Sequence, residues 1–71
     1  MRLSVMRGDI GYSFLAYSHK AFCDGVELEH CHTADEEEGY ALCHDIEAFV
    51  PGMKNIPQKR VYGKIEIRKI G

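Results

Sequence analysis

The Asp24-Gly25 dipeptide restricts this chain more than any other feature. It stands between Lys20-Ala21-Phe22-Cys23 and Val26-Glu27-Leu28-Glu29. A two-residue Asp-Gly loop supplies the positive φ angles of the tight turn whose twist suits paired strands, so these runs read as a β-hairpin. The turn also sets a register. Cys23 faces Val26, Ala21 faces Leu28 and His19 faces His30, while on the other face Lys20 lies opposite Glu29 as a favourable pair.

The next connection is Thr33-Ala34-Asp35-Glu36-Glu37-Glu38-Gly39, where Thr33 can cap a single helical turn and Gly39 can end it in the left-handed conformation. A strand over residues 40–47 follows, with Tyr40, Leu42, His44 and Ile46 on one side. Residues 50–57 hold Pro51, Gly52 and Pro57 and cannot continue a ladder. The strongest strand pattern comes last: Val61, Gly63, Ile65 and Ile67 alternate with polar neighbours. Leu3 and Val5, flanked by Arg2 and Ser4, suggest a first strand. Residues 10–22 fit a helical stripe and a strand equally well, and the turn at Asp24 decides for a strand arriving at Cys23. The expected fold is one small, mainly β domain over residues 1–71, an antiparallel meander of about five strands curled into a half-open barrel with little helix.

Charge is sorted along this framework. Residues 1–23 carry Arg2, Arg7 and Lys20 against Asp9, a net +2. Residues 24–53 hold nine acids and no Lys or Arg, and residues 54–71 hold six cations against Glu66, a net +5. One reading sets the basic last strand beside the acidic middle, so that opposite charges face each other across the sheet. The other makes Asp35, Glu36, Glu37 and Glu38 an exposed acidic knob for a partner with a basic surface. Charge runs are usually solvated faces, which favours the first. The formal net charge of −2 gives no reason for direct nucleic-acid binding. Three cysteines, Cys23, Cys31 and Cys43, without a C-x-x-C pair read as reduced thiols. The N-terminal run suits neither a signal-peptide core nor a membrane span, so a soluble intracellular protein is expected.

Over residues 20–68, the segments Phe22 to Leu28, Cys31, Ala34 to Tyr40 and Tyr62 to Ile67 resemble a pattern of small phage-encoded proteins. The resemblance implies an accessory protein in a bacterial host cytoplasm, working in particle assembly or in countering the host. It carries no catalytic residues.

The four histidines lie outside that pattern. With the register above, and with Thr33 to Gly39 as a seven-residue loop pairing His32 with Tyr40, all of His19, His30, His32 and His44 share one face. His30, His32 and His44 then have the spacing to present three imidazoles to one zinc ion, with His19 as a fourth ligand or supporting partner. The competing reading is structural: histidines at the rim of a core. Cys31 with His32, and Cys43 with His44, point to opposite faces and make no nucleophile and base pair. No phosphate-binding loop is present.

The function expected from these features is a non-enzymatic protein-interaction module of phage origin. It would act through the acidic hairpin, as an inhibitor of a host nucleic-acid-handling or defence machine. The alternatives are a small zinc-binding domain using the histidine cluster, and a particle component recognised by self-assembly.

Overall fold

The chain moves back and forth between two antiparallel sheets in the computed structural model, which describes residues 1–70. β1 (Arg2–Ser4), β4 (Cys31–Asp35), β5 (Tyr40–His44) and β6 (Gln58–Tyr62) form the first, in the order β1-β4-β5-β6. β3 (Val26–Glu27), β2 (His19–Cys23) and β7 (Ile65–Lys69) form the second, in the order β3-β2-β7. Short 3₁₀ turns at Phe14–Ser18 and Ile46–Ala48 complete the regular structure, and no α-helix occurs among the described residues. The mainly β class therefore holds. The barrel does not: the described residues make seven strands in two separate sheets, with no closed or curled barrel.

Two breaks convert the expected meander into two sheets. The Asp24-Gly25 hairpin forms as read, with φ of 51° and 84°, Cys23 opposite Val26, and the Leu28 amide donating to the Ala21 carbonyl at 2.9 Å. At His30 the backbone then takes φ +57°, an uncommon region for a residue with a Cβ, and carries the chain across to β4 in the other sheet. His19 consequently faces Lys69 rather than His30, and Lys20 reaches Glu27 at 3.1 Å rather than Glu29.

The second break splits the last strand pattern into β6 and β7. Gly63 separates them, and a Cβ there would lie 2.7 Å from both Cys23 Sγ and Asp24 Oδ2. The Lys64 amide donates to Asp24 Oδ1 at 2.9 Å and the Asp24 amide to the Lys64 carbonyl at 2.9 Å. The turn of the β2–β3 hairpin is thus bolted to the connection between β6 and β7. The apolar alternation survives the break: Val61 packs beside the core from β6, Ile65 and Ile67 from β7.

Residues 10–22 also depart from the expected strand. Ser13 Oγ accepts from the Leu15 amide and starts a 3₁₀ turn, so β2 begins only at His19.

The core between the sheets is made of small side chains. Ala21, Cys23 and Ile65 from one sheet meet Ala34 and Ala41 from the other, with Leu28, Cys31, Val61 and Ile67 around them. The large apolar residues lie elsewhere: Ile10 is 96% exposed, Phe14 74% and Tyr62 68%. The N-terminal strand is anchored by polar groups instead. Ser4 and Thr33 are buried and share a hydrogen bond at 2.7 Å, Arg2 Nε and Nη2 donate to the Asp9 carboxylate at 2.8 and 2.6 Å, and Arg2 Nη1 donates to Asp35 and to the Tyr40 hydroxyl. Among the described residues no helix is long and apolar enough to cross a membrane.

Candidate functional site

The acidic run begins inside the fold. β4 continues to Asp35, which pairs with Tyr40, so the connection is four residues, Glu36 to Gly39, rather than seven. Asp35 is only 8% exposed. One carboxylate oxygen accepts the Glu37 and Glu38 amides at 3.0 Å each and the other accepts from Arg2, which together hold the group below the usual carboxylate range despite burial. Thr33 is a strand residue and caps nothing. Gly39 does take the left-handed conformation, at φ 71°.

Glu36 is also engaged. Its Oε2 accepts the Ile67 amide of the edge strand β7 at 2.9 Å, and its Oε1 lies 3.6 Å from the N-terminal amine. An edge amide satisfied in this way is closed to another strand. Glu37, 86% exposed and within 3.6 Å of the N-terminus, and Glu38 are the exposed acids of the run that hold no backbone amide with their carboxylates. The knob expected over Asp35 to Glu38 is therefore two side chains wide.

The remaining acids of the middle segment are spread along it. Asp24 ties its hairpin turn to the β6–β7 connection, Glu27 pairs with Lys20, and Asp45 accepts the Ala48 amide at 3.3 Å. Glu29, Glu38 and Glu47 have no ion pair among the described residues. Every cation that does pair with the middle segment comes from residues 1–20, and no ion pair joins residues 24–53 to residues 54–70. The charge neutralisation expected across the sheet is absent. β6 does lie beside β5, but its Arg60 stacks over the Tyr40 ring at 4.7 Å, and β7 lies beside β2, where Arg68 faces Lys20 and stacks over Phe22 at 4.3 Å.

Of the four histidines the fold brings two together. A β-bulge between Cys31 and Thr33 leaves His32 as the extra residue of β4. The expected register of His32 opposite Tyr40 was displaced, yet the bulge returns His32 to His44, with ring centroids 4.7 Å apart. His32 is 6% exposed; its Nδ1 hydrogen-bonds Thr33 Oγ1 at 2.8 Å, while His32 Nε2 and His44 Nδ1 are buried without a partner. Burial pushes the His32 imidazole below its ordinary value, the charge of His44 adds to this, and Gln58 and Asp9 oppose it. His30 stands on the exposed turn between the sheets, and His19 Nδ1 contacts the Leu15 carbonyl at 2.7 Å from the second sheet. Among the described residues no three His, Cys, Asp or Glu side chains are grouped to hold a metal ion.

Cys31 and Cys43 lie directly opposite each other in the β4–β5 ladder. Burial, together with the neighbouring Cys43, pushes the Cys31 thiol up to about 12, and burial raises Cys23 and Cys43 as well. Thiols of this kind are protonated at neutral pH and poor nucleophiles. The exposed apolar residues were the feature sequence reasoning missed, because aromatic and aliphatic residues in so short a chain read by default as core. No match was found among family models, curated proteins or solved structures.

Proposed function

We propose that this chain is a non-enzymatic protein-interaction module that offers a partly compensated acidic surface to a basic partner. The observation that carries the reading is the charge accounting: the acidic middle segment draws its counter-ions from the first 20 residues, and no cation after residue 53 pairs with it. Glu37 and Glu38 on the β4–β5 turn, with Glu29 and Glu47, are the residues through which it meets that partner. Exposed Phe14, Tyr17 and Tyr62 supply the apolar contact area that charge alone lacks. Joined to the resemblance to small phage-encoded proteins, the specific form is an accessory protein that occupies the basic surface of a host nucleic-acid-handling or defence machine.

The test is capture from a bacterial lysate by immobilised wild-type chain and by the Glu37→Lys/Glu38→Lys variant. Both side chains are exposed and neither carboxylate holds a strand, so the variant keeps the fold, as circular dichroism would verify. A protein retained by wild type and lost by the variant supports the reading, and equal retention by both defeats it.

A second reading is a self-assembling particle component. It draws on the uncovered backbone edge of β6, exposed at four of its five positions, and on the exposed apolar loops. A native mass of several chains in the purified protein favours it, and a monomer excludes it.

A further inference from the structure

Between the two sheets lies a cleft of about 520 Å³, within the range that holds small organic ligands. Its walls come from both sheets and from the segments beside them. Leu3 lines it from β1 and Ala21 and Ile67 from β2 and β7, and Val5, Leu28 and Ala16 line it as well. Such a surface suits an apolar body.

Charge around the cleft is unbalanced. Lys20 and Glu27 neutralise one another at 3.1 Å, which leaves Glu29 as the lining carboxylate with no ion pair among the described residues, on a lining that also holds His19 and His30. His32 also lines the cleft, 6% exposed and with its Nδ1 hydrogen-bonded to Thr33 Oγ1. An apolar wall beside a lone carboxylate favours a cation over a carboxylate, which would meet repulsion at the rim.

We propose that this cleft binds a small organic cation, a protonated amine or guanidinium on an apolar body, with Glu29 as counter-ion. The site lies away from the β4–β5 turn and shares only Glu29 with the interaction reading, so the Glu37→Lys/Glu38→Lys variant separates the two. A partner's lysine or arginine side chain has the same head chemistry as a free amine, and the experiment separates the two.

The experiment is an amide-resolved NMR titration of the whole chain with three molecules that share one body: 3-phenylpropylamine, 3-phenylpropanol and 3-phenylpropionate. The amine is expected to give saturable shifts at Leu3, Ala21 and Ile67, the alcohol weaker ones and the propionate the weakest. Glu29→Gln, at an exposed turn position, is expected to weaken the amine about threefold, the scale of one exposed ion pair, and to leave the alcohol unchanged. Glu37→Lys/Glu38→Lys should leave all three unchanged. If N-acetyl-lysine amide shifts the same residues as strongly as the amine, the occupant is a partner's side chain; if the amine alone does so, it is a free small molecule. The proposal falls if none of the probes saturates, if the propionate binds as well as the amine, or if Glu29→Gln leaves the amine unaffected.

Discussion

Arg2 carries more of this fold than its position next to the chain end suggests. Its guanidinium serves the carboxylates of Asp9 and Asp35 and the Tyr40 hydroxyl, joining the N-terminal loop, β4 and β5. Lysine has a point charge and cannot reproduce a planar fork. Arg2→Lys is expected to destabilise the protein by about 2 kcal/mol, between the values for exposed and for buried pairs, read from the shift of a urea midpoint. The same network sets the low-pH limit. Its hydrogen bonds from Arg2 hold the Asp9 carboxyl down at about 2 against an ordinary 3.8. The stability it contributes is complete above the ordinary value and is lost as pH falls through about 2. His32 acts earlier. Its folded pKa lies below 6.5, so the unfolded chain takes up a proton that the folded chain refuses, and stability declines as pH drops below that value. His32→Gln should remove this upper decline and leave the Asp9 decline in place, which paired urea titrations at pH 7.5, 5.5 and 3 would show.

At the level of elements, glycine marks the point where one strand pattern becomes two. Gly25 sits at φ 84° with open space around its Cα, so Gly25→Ala costs conformational strain alone, about 1 kcal/mol. At Gly63 a methyl group would press on Cys23 and on the Asp24 carboxylate that holds the two turns together. Gly63→Ala should therefore cost clearly more, about 3 kcal/mol, and thermal melts of the two variants give the comparison. These elements also show what the sequence can and cannot reveal. The Asp24-Gly25 hairpin is a local consequence of two residues and formed as read beside its turn, with Cys23 opposite Val26, while the expected pairings farther out, His19 with His30 and Lys20 with Glu29, did not form. The apolar parity of Val61, Ile65 and Ile67 was equally local. The division into sheets was not, because it depends on Gly63 meeting Cys23 and on a left-handed His30, contacts made by residues far apart in the chain or by one with no sequence mark of that conformation. His32 and His44 were expected on one face with His32 opposite Tyr40; that register proved displaced, and their contact exists through a bulge with no signature in the residues around Thr33.

For the whole molecule, the arrangement of polar and apolar groups is the reverse of what a self-sufficient domain needs. A 71-residue chain buries little surface at best, and this one fills its core with Ala and Cys while Ile10, Phe14 and Tyr17 stay outside. Its charges are likewise incompletely matched among the described residues, with Glu29, Glu38 and Glu47 on the middle segment and Lys59 and Arg60 on β6 in no ion pair, and none joining residues 24–53 to residues 54–70. Attraction between exposed charges is screened by salt, so capture of a basic partner should weaken steadily between 50 and 300 mM salt, a range over which the screening length shortens from above about 10 Å to below about 8 Å. The most direct measurement is a side-by-side capture with two charge reversals, Glu37→Lys/Glu38→Lys and Lys59→Glu/Arg60→Glu. The account predicts that the first loses the partner and the second retains it. Loss through the second reversal with retention through the first would contradict it.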